Sequence, residues 1–175
     1  MVQLDVVDGA LAENMKRARK GIEQAARMKA DLICLPEAAD FGWLCQQARE
    51  VALPIPGPYT DLLCKLARRH AVWIAAGCLE RDGARTYNSA VLINRAGIIV
   101  LKHRKINTLP ELTAQLYDAG RSADVGVVDT EFGRVGLTIC ADNFSAENPR
   151  RVAELGAWLL IAPHGFAEKE SDLAD

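Results

Sequence analysis

The chain has 175 residues, half of them apolar, and its 21 Lys and Arg residues nearly balance its 23 Asp and Glu residues. This length is sufficient for one domain with a sizeable core, and the scattered basic residues, which are not interleaved with aromatic residues, predict no nucleic-acid partner. The longest apolar runs are much shorter than the roughly 20 residues of a membrane-spanning helix, so we expect a cytoplasmic protein with no membrane partner. The five cysteines are odd in number and form no CxxC pair, which argues against a disulfide framework and a zinc site.

The first half of the chain alternates patterns that are typical of strands and helices. The run VQLDVV predicts a strand, and apolar residues at helical spacing then predict a helix over about residues 10–29. The run DLICLP predicts a buried strand that ends at Pro36, and the segment LPIPGPY leads to a helix that begins near Pro58. The run AVWIAAGCL predicts the next strand, so this half of the chain indicates an α/β protein.

The second half adds a hairpin and further strands. The runs TYNSAVLIN and GIIVLKHRK predict two strands joined by a short turn that contains Gly97. A mostly polar stretch over residues 106–124 leads to strands in VGVVDT and RVGLTIC, a helix over about residues 149–155, and a last strand in AWLLIAP. Because no internal repeat interrupts this pattern, we predict a single domain over residues 1–175.

Three reactive side chains follow the C-terminal ends of predicted strands. Glu37 follows DLICLP, Lys105 follows IIVLKHR, and Cys140 follows RVGLTI. If these strands are parallel, their C-terminal ends share one edge of the sheet, where α/β proteins place ligand sites. A thiol needs a base because little thiolate is present at neutral pH, and Glu37 is the candidate base. Lys105 would favour the thiolate and, with the N–H of Ala141, would bind an oxyanion, so this set predicts acyl transfer.

The motifs LPE, HRKIN and GRVGLTICAD, in this order and with similar intervals, resemble the three successive motifs of the carbon-nitrogen hydrolase (nitrilase) superfamily. The resemblance covers essentially the whole chain. It implies an α-β-β-α sandwich and a catalytic triad of Glu37, Lys105 and Cys140, with no cofactor and no metal. A second glutamate of the family, which helps to position the substrate or the lysine, corresponds to Glu111 in LPEL. Because relatives often dimerise, the resemblance also implies a homo-oligomer for the complete protein.

Two departures from the family pattern narrow the expected activity. True nitrilases resemble Cys-Trp-Glu at the nucleophile, whereas Cys140 is followed by Ala141 and Asp142, and amide-cleaving members more often carry this Asp. We therefore expect hydrolysis of a small-molecule amide or carbamoyl amide, with a nitrilase or a glutaminase-like domain that supplies ammonia as alternatives. Family domains also continue beyond the last predicted strand, so we expect the C-terminal part of the domain to be missing. An inactive fragment or a non-catalytic binding relative is the remaining alternative.

Other polar residues have ordinary structural interpretations. One histidine in a strand, such as His103, is more often a packed or surface residue than a metal ligand, and no second ligand stands at suitable spacing. We expect Asp142 and Asn143 to hold the Cys140 loop by local hydrogen bonds. The remaining cysteines lie within or beside apolar runs and are assigned to packing: Cys34, Cys45, Cys64 and Cys78.

Overall fold

The computed structural model describes residues 1–165, which form two β-sheets covered by helices. The helices are α1 (Leu11–Arg27), α2 (Ala48–Val51), α3 (Pro58–His70), α4 (Pro110–Thr113) and α5 (Glu147–Glu154). The strands are β1 (Leu32–Cys34), β2 (Trp73–Asp82), β3 (Arg85–Ile93), β4 (Ile99–Arg104), β5 (Val127–Thr130), β6 (Gly133–Leu137) and β7 (Leu159–Ile161). The last residues of the predicted domain, 166–175, lie outside the described residues. None of the helices within residues 1–165 has the length and apolar character needed to cross a membrane.

The strands form a four-stranded sheet in the order β1-β2-β3-β4 and a three-stranded sheet in the order β5-β6-β7. Strand β1 is parallel to β2, and β2, β3 and β4 pair in antiparallel succession, so β1 and β4 run in the same direction. The predicted hairpin turn is present between β3 and β4, where Gly97 has a φ of 73° that suits glycine. In the second sheet, β5 is antiparallel to β6, and β6 is parallel to β7.

Helices α1 and α3 cover the outer face of the first sheet. Helix α3 begins at Pro58, which suits the first turn because proline has no N–H to leave unpaired, and it ends before Ala71, whose φ of 52° terminates the helix. The buried side chains of both helices and of the sheet form one core cluster, which includes Ala18, Ile22, Ile33, Leu62, Leu63, Leu66, Ile74 and Val91.

The inner face of the first sheet packs against the second sheet. The residues of this interface are Trp73, Ala75, Ala90, Leu92, Val135, Leu137, Ile139 and Ile161. Helix α5 covers the other face of the second sheet. It lies so close to β6 that a Cβ at Gly136 would collide with Val152 of the helix. The layers are therefore α-β-β-α, which confirms the predicted fold class.

Residues 2–7 do not form the strand that their sequence pattern predicts. The N–H of Val2 donates a hydrogen bond to the carbonyl of Cys34 at 2.9 Å, but no continuous ladder joins this segment to β1 in the described part of the chain. Val2 and Leu4 instead pack, partly buried, against the core cluster beneath α1. The alternating pattern thus reports partial side-chain burial without a continuous strand ladder.

Candidate active site

Glu37 lies just beyond β1, where the main chain crosses over β2. The N–H of Gly77 donates to the carbonyl of Pro36 at 3.1 Å, and the N–H of Ala39 donates to the carbonyl of Gly77 at 3.1 Å. A Cβ at Gly77 would lie 2.6 Å from the Cα of Glu37, so this crossing requires glycine. The crossing carries the Glu37 side chain away from β1 and across the sheet towards β3 and β4.

Lys105 follows β4 and forms a buried ion pair with Glu37. Its Nζ lies 2.6 Å from Glu37 Oε1, and the two residues are 1% and 2% exposed. The side-chain amide of Asn88, in β3, donates to the same Oε1 at 2.7 Å. A buried ion pair is costly unless hydrogen bonds satisfy its remaining polar atoms, so Asn88 compensates part of that cost.

Cys140 begins a 3-10 turn that follows β6, so the candidate nucleophile comes from the second sheet. The expectation that all three reactive side chains share one edge of a single sheet is therefore wrong. Cys140 has a φ of 39°, which is strained for a residue with a side chain. Its N–H donates to the carbonyl of Pro163 at 3.0 Å, and the N–H of Asp142 donates to the carbonyl of Ile139 at 2.8 Å. These bonds hold the strained turn in place.

Gly165 connects Cys140 to Glu37. Its N–H donates to Glu37 Oε2 at 3.1 Å, and its carbonyl accepts a contact from Cys140 Sγ at 3.7 Å. The two carboxylate oxygens of Glu37 therefore have different neighbours. Oε1 accepts hydrogen bonds from Lys105 and Asn88. Oε2 accepts one from the N–H of Gly165, and the carbonyl of the same glycine contacts the thiol of Cys140.

The pKa of the Cys140 thiol lies above its ordinary value. Burial is the largest cause, the negative charge of Glu37 raises the pKa further, and the positive charge of Lys105 opposes both. The positive charge of Lys105 favours the thiolate, as expected, but burial and the nearby carboxylate outweigh the lysine. A thiol with a raised pKa needs a base to take its proton if it is to act as a nucleophile.

Asp142 is completely buried and joins the Cys140 turn to the segment after β4. Its Oδ1 accepts hydrogen bonds from the N–H groups of Ile106 at 2.9 Å and Asn107 at 2.8 Å. Its Oδ2 accepts one from the N–H of Ile139 at 3.0 Å and lies 2.8 Å from His103 Nε2. Burial would raise the pKa of Asp142, but the hydrogen bonds from His103 and the backbone hold it below its usual range. The local bond predicted from sequence is present, and the others connect the two sheets.

The two other predicted site residues have different surroundings. Ala141 is buried, and within residues 1–165 no hydrogen bond uses its N–H as donor, so this N–H is available to a bound oxyanion. Its carbonyl accepts a hydrogen bond from Asn107 Nδ2 at 2.9 Å. Glu111 is exposed on α4, and within residues 1–165 no hydrogen bond or ion pair joins it to Glu37, Lys105 or Cys140. Its proposed role in positioning stays a prediction.

A cavity of about 430 Å³ opens beside Glu37 and is lined also by Trp43, His164 and Gly165. The indole Nε1 of Trp43 is buried and has no hydrogen-bond partner among the described residues, and Lys105 Nζ lies 5.9 Å from the centre of a Trp43 ring. The Glu37 side chain is 0% exposed at the wall of this cavity, and among the described residues that line it are neither Lys105 nor Cys140. Among residues 1–165, no group of three or more His, Cys, Asp or Glu side chains is arranged to hold a metal ion.

Asn88 and His103 make buried contacts that the sequence motifs did not predict. Asn88 lies in β3 among mostly buried residues. His103 lies in β4, and it is 4% exposed. A polar side chain inside a buried strand needs a partner, so the position of Asn88 in a strand was itself a signal. Sequence does not identify the partner, because Glu37 lies 51 residues away along the chain.

Comparison with known proteins agrees with this fold. The family model for carbon-nitrogen hydrolases matches residues 1–173, and the chain belongs to this family. It is similar to a nitrilase from Pyrococcus abyssi, with 36% identity over 86% of this chain and 58% of the relative. It is also similar to an omega-amidase from Xenopus laevis (29% identity; 92% and 61% covered) and a citrullinase from Francisella tularensis (32% identity; 93% and 59% covered). The chain thus spans about six tenths of the length of these relatives.

Solved structures show the same architecture. An amidase from Nesterenkonia sp. superimposes with a TM-score of 0.86 at 18% identity, with 98% of this chain and 68% of that chain covered. A member of branch 10 of the nitrilase superfamily from Saccharomyces cerevisiae superimposes with a TM-score of 0.82 at 25% identity, with 99% and 66% covered. These likenesses establish the sandwich fold.

Proposed function

We propose that this protein hydrolyses a small-molecule amide or carbamoyl amide through an acyl-thioester on Cys140. The observation that carries the proposal is the arrangement around Glu37. Its Oε1 lies 2.6 Å from Lys105 Nζ, and its Oε2 accepts the N–H of Gly165, whose carbonyl contacts the Cys140 thiol. A buried carboxylate, an ammonium and a thiol in this arrangement supply a base, a positive charge and a nucleophile.

In the first half of the reaction, Cys140 Sγ forms a bond to the carbonyl carbon of the amide and its proton passes to Glu37. The carbonyl π electrons move to oxygen, and the resulting oxyanion is stabilised by Lys105 Nζ and the N–H of Ala141. The oxyanion then re-forms the carbonyl and the carbon–nitrogen bond breaks. The leaving nitrogen takes the proton from Glu37, so ammonia or an amine departs and the acyl group remains on sulfur.

In the second half, water attacks the thioester and gives a proton to Glu37. The second tetrahedral intermediate collapses, the carbon–sulfur bond breaks, and the thiolate recovers the proton from Glu37. The products are a carboxylic acid and the original thiol, and no oxidant, reductant or cofactor enters the balance. The raised pKa of Cys140 agrees with this scheme because the base acts during attack and a resting thiolate is not required.

The names of the relatives guide the choice of substrates. They include an omega-amidase, a citrullinase and a nitrilase. The test panel therefore contains monoamides of dicarboxylic acids, ureido compounds and aliphatic nitriles. The residue pair that follows Cys140, Ala141-Asp142, favours the first two classes. In a mutant of the Nesterenkonia amidase, acrylamide adds to the active-site cysteine by Michael addition, which supports a test with that reagent as well.

The experiment measures ammonia release from each compound by the wild-type protein, by Cys140→Ala and by the matched control Cys64→Ala. Cys64 is partly buried in α3 and packs against the core cluster, so its truncation tests for a general effect of losing a thiol. We expect ammonia release from amides or ureido compounds by the wild type and by Cys64→Ala, and none by Cys140→Ala. Equal rates from wild type and Cys140→Ala, or no release from any compound by folded wild type, would contradict the proposal.

A further inference from the structure

Asn88 makes separate contacts with two of the proposed catalytic residues. Its side-chain Nδ2 donates to Glu37 Oε1 at 2.7 Å, and its main-chain carbonyl accepts the N–H of Lys105 at 2.8 Å. Asn88 is 0% exposed and lies within β3, where Leu79 of β2 is its partner in the ladder. A rigid strand residue thus fixes Glu37 through its side chain and Lys105 through its main chain.

We propose that Asn88 is a positioning residue that determines which oxygen of Glu37 exchanges protons; this inference rests on the proposed function. Asn88 Nδ2 and Lys105 Nζ both donate to Oε1, at 2.7 and 2.6 Å. Two donors on one oxygen prevent the carboxylate from turning over and keep the other oxygen, Oε2, next to the residue that contacts the thiol.

The arrangement also determines where the transferred proton stays. Oε1 faces two donors, so a proton on that oxygen would face the hydrogens of Lys105 and Asn88. A proton on Oε2 meets weaker repulsion, because the donor on that side is the single N–H of Gly165 at the longer distance of 3.1 Å. The proton taken from Cys140 therefore remains on Oε2, where the leaving nitrogen collects it.

An asparagine supplies this donor without adding charge, and that property provides the test. The titratable groups that act around Glu37 are Lys105, the thiol of Cys140 and the hydroxyl of Tyr117, whose pKa is raised by burial and by the charge of Glu37. Asn88→Asp would place a second carboxyl group at hydrogen-bond distance from Oε1. Two carboxylates this close do not ionise together near their ordinary pKa, so one proton is held to higher pH.

The experiment is the pH profile of kcat/KM for an amide substrate in wild type and Asn88→Asp. We expect the acid limb to move to higher pH by at least about one pH unit in Asn88→Asp, with kcat/KM at its maximum lowered about 100-fold. The matched control is Asn94→Asp in the hairpin turn, where Asn94 Oδ1 accepts the N–H groups of Ala96 and Ile98, each at 3.0 Å. An aspartate accepts the same bonds, so the control should keep the wild-type profile.

A second variant, Asn88→Ala, removes the side-chain donor without adding a charge and keeps the main-chain bond to Lys105. We expect kcat to fall about 100-fold with KM changed less than about threefold, because a displaced base affects the reaction more than binding. Wild-type turnover combined with an unmoved acid limb in Asn88→Asp, or with an undiminished kcat in Asn88→Ala, would contradict this inference alone. Absence of turnover in the folded wild type would contradict the proposed function and the inference with it.

Discussion

The carboxylate of Asp142 lies 2.8 Å from Nε2 of His103, and this contact connects the Cys140 turn of the second sheet to β4 of the first. Both side chains are buried, so neither exchanges this partner for water. Asp142 also accepts three backbone hydrogen bonds, from Ile106, Asn107 and Ile139. The carboxylate of Asp142 therefore helps to fix the Cys140 turn relative to the strand that precedes Lys105.

We expect Asp142→Asn to lower the free energy of unfolding by about 1–3 kcal/mol, because an amide N–H would face the backbone N–H of Ile139 where Oδ2 now accepts. Urea unfolding at pH 7 measures this change. Asp129→Asn is the matched control, because Asp129 pairs with Arg134 on the surface and its loss should change stability little. Equal effects of the two substitutions would contradict the role of Asp142 as a connection between the sheets.

The comparison of wild type with Asp142→Asn also predicts how the free energy of unfolding depends on pH. The pKa of Asp142 is lowered by folding, so its charge stabilises the native state above the ordinary Asp pKa of about 3.9 and loses that effect as pH falls through the lower native value. We expect the stability advantage of wild type over Asp142→Asn to decrease below about pH 4. An advantage that grows on acidification would contradict this assignment.

The contribution of Asp40 to the free energy of unfolding should depend on pH in the opposite direction. It is completely buried beside Tyr59 and Cys78, and burial raises its pKa to about 7 although the backbone N–H groups of Leu79 and Phe41 donate to it. The native state therefore binds a proton that the unfolded chain releases near pH 4, so stability falls as pH rises from about 4 to 7.

Urea unfolding of wild type and Asp40→Asn at several pH values tests this dependence. We expect the free energy of unfolding of wild type, relative to the variant, to decrease between pH 5 and pH 8. A relative stability that stays constant or rises over this interval would show that Asp40 is ionised in the native state throughout.

The raised pKa of Cys140 can be separated into its causes by alkylation. Because the charge of Glu37 raises this pKa and Lys105 lowers it, Glu37→Gln should move the pH at which Cys140 reacts with iodoacetamide to a lower value. Mass spectrometry of the labelled peptides gives the profile for each cysteine. Cys34, whose pKa is raised to about 11 mainly by burial, should react identically in both proteins and serves as the internal control. A Cys140 profile that moves to higher pH in Glu37→Gln would contradict the proposed proximity of the two groups.

The crossing of the main chain over β2 gives a further prediction. Gly77→Ala would place a Cβ 2.6 Å from the Cα of Glu37, so we expect a loss of about 1–3 kcal/mol in unfolding free energy and displacement of the carboxylate. Gly126→Ala is the control, because its Cβ would meet only the flexible end of the Leu101 side chain at 3.2 Å. Similar stabilities of the two variants in urea would show that the crossing tolerates a side chain.

The sequence predicted the elements of this fold better than their arrangement. Periodicity indicated the helix at residues 11–27 and the hairpin around Gly97, because both patterns are local. The division of the strands between two sheets could not be read in this way, since strand order depends on contacts between residues far apart in the chain. Residues 2–7 show the limit of the method, because burial of alternate side chains occurs there without a ladder.

The candidate site was predictable to a similar extent. Glu37 and Lys105 follow strands that run in the same direction, so their proximity was a reasonable expectation, and the structure places them in contact. The buried hydrogen bond from Asn88 to Glu37 was not predictable, because it joins β3 to a segment that reaches it only through the crossing at Gly77. The raised pKa of Cys140 was also missed, since burial of a side chain is a property of the folded chain.

Amide cleavage should proceed through an acyl group on Cys140. The most direct test is the partitioning of this acyl group between water and added hydroxylamine. Two substrates with the same acyl group, a primary amide and its N-methyl amide, are hydrolysed in the presence of hydroxylamine, and the ratio of hydroxamate to acid is measured for each. If both pass through one acyl-thioester, the two ratios are identical, and Cys140→Ala forms neither product. Ratios that differ between the two leaving groups, or product formation by Cys140→Ala, would contradict the account.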